Sequence, residues 1–181
     1  MHKWVDVSDN SFGLSIINDC KYGCDVKDGH IRPTLFRCAT QPCTKQDQEF
    51  HSFTFSIYPH TGKVSDSGVY KEAYGVNFPL YAVVSSAHEG ALDNEYSLVK
   101  SDKENVIIET VKIAEDSNAV IVRAYECWNS KTPVKITFNS EIKSATECNL
   151  MEEADESVEY SGNEISATFK PFEIKTFKVC F

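Results

Sequence analysis

No stretch of this 181-residue sequence approaches the roughly 18 uninterrupted apolar residues that a membrane-spanning helix requires. The first ten residues, Met1 to Asn10, also lack the basic segment followed by an apolar one that marks a secretory leader. Clustered basic residues are missing too. The 18 Lys and Arg are scattered among 27 Asp and Glu, for a net charge of −9, and because a phosphate backbone demands grouped cations, nucleic acid is excluded as a partner. A closed disulfide framework is not implied either. The seven cysteines, at positions 20, 24, 38, 43, 127, 148 and 180, are odd in number and share no repeated spacing, so reduced thiols are expected. None of the ten asparagines begins an Asn-x-Ser/Thr acceptor sequence, which leans toward a cytoplasmic history. These absences leave a soluble, acidic protein with no membrane or nucleic-acid partner.

The hydrophobic content of 41%, with 12% aromatic residues, is ample for a packed core. Apolar and polar residues alternate from end to end, the period of a strand with one buried face. Phe53, Phe55 and Ile57 alternate with Ser52, Thr54 and Ser56. The same pattern predicts strands at Trp4 to Val7, Phe12 to Asn18, Thr34 to Arg37, Leu80 to Ser85, Tyr96 to Val99 and Val106 to Ile113. It continues through Val120 to Cys127, Val134 to Phe138, Ser144 to Leu150, Ser157 to Tyr160, Ile165 to Phe169 and Ile174 to Val179. Turn chemistry at Lys27-Asp28-Gly29, Thr61-Gly62, Asp66-Ser67-Gly68 and Ser161-Gly162-Asn163 separates them. Many short strands at near-regular spacing predict an all-β antiparallel sandwich with little helix. The acidic run Glu152-Glu153-Ala154-Asp155-Glu156 reads as a solvated turn. A polar stretch, Ser101 to Asn105, divides the chain into 1–101 and 102–181, and all five histidines fall in the first part.

Several segments, in order, carry a resemblance: Trp4-Val5-Asp6-Val7-Ser8-Asp9, Asn18-Asp19, Lys21-Tyr22-Gly23-Cys24-Asp25, Leu35-Phe36-Arg37, and His51 through Tyr58-Pro59-His60. Ile113-Ala114-Glu115-Asp116, Val122-Arg123-Ala124-Tyr125-Glu126, Ala145 to Leu150 and Pro171 to Phe177 follow. This order resembles the C-terminal β region of the α-mannosidases of glycoside hydrolase family 38, whose "NDxKYGYD", "LLR" and "HxFxYxLYPH" signatures follow one another in the same way. The sequence departs from that pattern at Cys24 (usually Tyr), Cys38-Ala39 (Ser-Pro) and Cys43 (Asp). The resemblance implies part of a galactose-mutarotase-like supersandwich over 1–101, then a smaller immunoglobulin-like sandwich over 102–181. It also implies a longer parent, a retaining enzyme that releases terminal α-mannose from oligosaccharides. The zinc ion and aspartate nucleophile of that enzyme belong to an N-terminal catalytic domain, so neither a catalytic group nor a metal is expected in this chain. The partners implied are that domain and, through it, a mannose-containing oligosaccharide.

Retaining glycosidases need two carboxyl groups about 5 to 5.5 Å apart; Asp47 and Glu49 near His51 suggest acid/base chemistry but fit a structural or domain-contact role better. Arg37, with a guanidinium suited to a bidentate pair, and His51 are expected to face the missing domain. Cys20-x3-Cys24 and Cys38-x4-Cys43 have the wrong spacing for a zinc knuckle. Trp4, Tyr22, Tyr58, Tyr70, Tyr74 and Trp128 could stack on sugars, though core positions are commoner, and alternation places Tyr58 on an exposed face. An exposed apolar patch is expected where the partner domain is missing. The rival readings are an autonomous carbohydrate-binding β module and a cysteine-liganded metal protein.

Overall fold

The computed structural model describes residues 1–91, 93–153 and 156–181. Two compact units meet between Ser86 and Ala87. All strand pairings are antiparallel and the only helices among the described residues are two short ones, so the all-β expectation holds. Among the described residues no helix is long and apolar enough to cross a membrane.

In the first unit, β1 (Trp4–Ser8), β2 (Phe12–Asn18) and β5 (Phe55–Thr61) form one sheet in the order β1-β2-β5. β3 (Cys24–Lys27) and β4 (His30–Pro33) form a separate hairpin, turned at Asp28-Gly29, both with positive φ. That hairpin uses His30–Pro33 where the sequence pattern pointed to Thr34 to Arg37. The turn between β1 and β2 is tied by Asp9, whose Oδ1 accepts the N–H groups of Ser11 (2.6 Å) and Phe12 (2.9 Å). Those bonds hold its carboxyl down to about 2. Two helices follow β5: α1 (Val64–Ser67) and α2 (Val69–Asn77), joined at Gly68, whose φ of 71° suits glycine. Val69, Tyr70 and Ala73 of α2 are buried, and Val69 and Ala73 pack with Ile17, Trp4 and Tyr58. Tyr58 therefore lies on the covered face, its hydroxyl donating to the Ser67 carbonyl (2.9 Å). The exposed residues of that strand are Ile57, Pro59 and Thr61, on the opposite face. Alternation was read correctly and the face assigned wrongly, because α2 was not anticipated.

The second unit is a sandwich. Its five-stranded sheet has the order β11-β10-β14-β8-β7, and its four-stranded sheet the order β12-β13-β9-β6. The strands are β6 (Val99–Ser101), β7 (Val106–Ile113), β8 (Val120–Glu126), β9 (Thr132–Phe138), β10 (Ser144–Cys148), β11 (Glu156–Ser157), β12 (Glu159–Ser161), β13 (Glu164–Phe169) and β14 (Ile174–Cys180). Alternate residues of both sheets supply the core, including Val122, Ala124, Val134, Ile136, Ile165, Phe169, Phe177 and Val179. Each large apolar side chain so covered contributes about 1.5–3 kcal/mol relative to exposure. β6 pairs with β9, Val99 opposite Phe138, so residues 99–101 belong to this sheet although the polar stretch placed a division at 101/102. That stretch is polar for another reason: Asn105 is buried in a hydrogen-bonded knot.

The centre of the knot is Glu126, at the end of β8 and 1% exposed. Its Oε1 accepts from the Asn105 amide (2.8 Å) and the Trp128 N–H (2.7 Å); its Oε2 accepts from the N–H groups of Phe172 (3.0 Å) and Ser130 (3.2 Å). Burial pushes this carboxyl up, yet the donors from Phe172, Asn105, Trp128 and Ser130 outweigh it and hold the group below its ordinary value. Three loops are thereby tied to one strand end. Of the acidic run, Ala154 and Asp155 lie outside the described residues. Glu152 is buried and not a solvated turn residue: it ion-pairs with Lys112 (2.8 Å) and accepts the Glu115 N–H (2.8 Å).

Replacing Glu126 by Ala strands these donors in a dry site, so urea denaturation is expected to show a loss of about 3 kcal/mol from the second unit. A loss under about 1 kcal/mol would show that the knot does not organise the loops.

Candidate functional site

The three candidate residues from the sequence meet in the long loop between β4 and β5. Asp47, at φ 60°, turns its carboxylate back on the loop, and its Oδ2 accepts the N–H groups of Cys38 (3.1 Å) and Arg37 (3.4 Å). The Lys21 ammonium donates to His51 Nδ1 (3.2 Å), so a neutral His51 carries its proton on Nε2, a buried atom without a partner. Phe36 packs edge-on against His51, with ring centres 4.8 Å apart, and Lys21 lies over the rings of Phe36 (4.8 Å) and Phe53 (5.9 Å). Arg37 joins the cluster through its main chain, while the residue itself is exposed. The result is a cationic and aromatic platform.

Asp47 is not equipped for proton transfer. The Cys38 N–H first, then the Arg37 N–H and the nearby Lys21 charge, hold its carboxyl below the ordinary range, outweighing the opposing cost of desolvation. A general acid needs a pKa near the working pH, so these bonds work against that role. Glu49 is exposed and makes no bond to the cluster. Of the described residues, no three His, Cys, Asp or Glu side chains converge on a metal-sized site, and all seven cysteines are free. Burial and the neighbouring Glu126 carboxylate push the Cys127 thiol up to about 11, as befits an inert structural cysteine.

A second polar centre was not singled out from the sequence. Asp6 on β1 accepts from Ser15 Oγ on β2 (2.6 Å), Ser8 Oγ (2.5 Å) and His60 Nε2 on β5 (2.7 Å). The Asp6 and His60 side chains are 9% and 4% exposed, and His60 Nδ1 is buried without a partner. Register explains how an outer strand reaches across the middle one: His60 lies opposite Gly13, and a Cβ there would sit 2.3 Å from His60 Cε1. Glycine opens the passage through which the imidazole reaches Asp6. Burial raises the Asp6 carboxyl, but hydrogen bonds from Ser15, Ser8 and His60 more than offset it, leaving it below its ordinary value. The set of Ser, His and Asp does not make a hydrolytic triad, because serine and histidine both bond to the carboxylate and no serine hydroxyl bonds to the imidazole that would have to deprotonate it. The centre is a tie across three strands. The signal that could have exposed it, Tyr58-Pro59-His60 with Asp6 and Gly13, becomes readable only once the strand register is known.

On the other face of this sheet, Val7, Phe12, Leu14, Ile16, Gly29 and Ile31 line an apolar depression of about 350 Å³. Antiparallel sheets in two units, with satisfied carboxylates and open apolar faces, define a class: an all-β sandwich region.

The comparisons give that class its family. Residues 105–177 match the "Glycosyl hydrolases family 38 C-terminal beta sandwich domain", and residues 1–45 match the "Glycosyl hydrolases family 38 C-terminal domain". Alpha-mannosidase G of Dictyostelium discoideum is 36% identical over 98% of this chain, and human Alpha-mannosidase 2C1 is 33% identical over 96%. The chain spans 17% of each of those proteins. The crystal structure of a glycosyl hydrolase family 38 protein from Enterococcus faecalis superposes with a TM-score of 0.76 at 21% identity, covering 98% of this chain and 22% of that one. An alpha-mannosidase from Enterococcus faecalis V583 gives 0.73 at 23%, covering 97% and 20%. The chain belongs to the C-terminal β region of glycoside hydrolase family 38.

The Asp6 tie has a pH signature. Its folded-state carboxyl titrates below the unfolded value, so its contribution is complete above the ordinary carboxylate pKa of about 4 and is lost as the pH falls through the lower folded value. Asp6→Asn is expected to be less stable at pH 7 and to lose less on acidification than the parent sequence, by thermal melts from pH 7 to 2; parallel acid curves would contradict this.

Proposed function

We propose that this chain is the non-catalytic C-terminal region of a retaining α-mannosidase that removes terminal α-D-mannose from oligosaccharides, and that it packs against the N-terminal catalytic domain and shapes its cleft. The observation that carries this reading is the match of both units to C-terminal domains of the family while the chain spans about a sixth of its α-mannosidase relatives. The zinc-dependent chemistry belongs to the remainder of the polypeptide. The working compartment in this reading is the cytoplasm, which the seven free thiols suit.

Within this reading the Arg37, His51 and Lys21 platform is the contact with the catalytic domain. Asp47 fixes the loop by its two main-chain bonds, so the exposed guanidinium of Arg37 is presented from a held backbone. A carboxylate opposite it would receive a planar, bidentate donor. Asp47 thus acts as a positioning residue.

In the complete polypeptide, Arg37→Ala and His51→Ala are each expected to reduce kcat/KM for an α-mannoside about ten-fold or to lower Tm by several degrees, the scale of one charge-assisted hydrogen bond. Variants indistinguishable from the parent in both respects would overturn the assignment. Calorimetric titration of the 181-residue chain with mannosides is expected to give no saturable binding; a millimolar or tighter affinity would favour a carbohydrate-binding module.

A further inference from the structure

From Ala73 to His88 the sequence contains no Asp, Glu, Lys or Arg, in a chain that is 25% charged. Within this stretch, Pro79-Leu80-Tyr81-Ala82-Val83-Val84 carries the β-branched and aromatic residues of a strand, preceded by a proline where a strand start tolerates one. A solvated linker is built from Gly, Ser, Pro and charge, and a segment that stays disordered has low hydrophobicity; neither describes these residues. In a strand, Leu80, Ala82 and Val84 would point to one side and Tyr81 and Val83 to the other. With both sides apolar, the segment has the character of an interior strand covered on both faces.

In this chain the segment has no such cover. Leu80 and Val84 are 100% exposed, Tyr81 95% and Val83 79%. Residues 80–84 belong to no helix or strand and make no main-chain hydrogen bond to any described residue. Five consecutive apolar residues and their amide groups thus lack what their composition requires.

We propose that Leu80–Val84 is a β-strand whose sheet lies in the part of the parent polypeptide outside this chain, and that the segment joins that sheet by main-chain strand addition. The proposal rests on the reading of the chain as a portion of a longer family 38 enzyme. The occupant follows from length: about five-sixths of each relative lies outside the span that this chain matches. The addition would satisfy the orphan amides and carbonyls through the ladder and bury the side chains on both faces.

The test is hydrogen–deuterium exchange on the 181-residue chain and on the complete polypeptide, with Val84→Asp made in both. The amides of residues 80–84 are expected to exchange without protection in the chain and at least ~100-fold more slowly in the complete polypeptide. Val84→Asp is expected to leave the urea midpoint of the chain unchanged and to lower the Tm of the complete polypeptide. Equal, unprotected exchange in both would overturn the proposal, as would protection in the isolated chain that rises with its concentration, which would assign the strand to a second copy. Protection in a complete polypeptide without α-mannosidase activity would sustain the strand and overturn the functional reading; an active polypeptide with an unprotected segment would do the reverse.

Discussion

A β-sheet is stable in water only when its apolar face is covered and its polar backbone paired, and the two units of this chain meet that condition to different degrees. The second unit meets it internally. Its two sheets bury Ile136, Ile165, Phe169 and Phe177 between them, and Glu126 gathers main-chain N–H groups from two loops and the Asn105 side-chain amide from a third. The first unit covers one face of its sheet with α2 and leaves Phe12, Leu14 and Ile57 of the other face in contact with solvent. The exposed segment after α2 extends the same deficit.

The polar residues fit that division of labour. The buried carboxylates of Asp6, Glu126 and Glu152 spend their lone pairs on structural donors from neighbouring strands and loops, which lowers their proton affinity. Asp47 does the same at the surface. Around Asp47 the groups presented are cationic and aromatic: Arg37, Lys21, and the rings of Phe36 and Phe53. Such a surface suits electrostatic and packing contact with another domain better than it suits bond cleavage.

A strand with an unambiguous period of two, such as β9, was legible in the sequence because Val134, Ile136 and Phe138 on one face are buried against a continuous core while Pro133 and Lys135 on the other are exposed. Leu80 to Ser85 reads just as clearly as a strand but forms none here, since periodicity reports the burial a segment requires and not whether the covering residues are present. α2 was missed because its buried positions, Val69, Tyr70 and Ala73, span little more than one turn. Arg37 and His51 were singled out through segment resemblance and Asp47 as an acid near His51 in sequence, and the loop between β4 and β5 brings the three together. The Asp6–His60 tie was not found, since it joins residues 54 apart through a gap that Gly13 leaves, and only strand register shows that gap.

The most direct measurement is hydrolysis of p-nitrophenyl α-D-mannoside by the 181-residue chain beside the complete polypeptide, with zinc supplied to both. The account predicts turnover by the complete polypeptide alone; turnover by the isolated chain would contradict it and would place catalytic groups among the residues assigned here to packing.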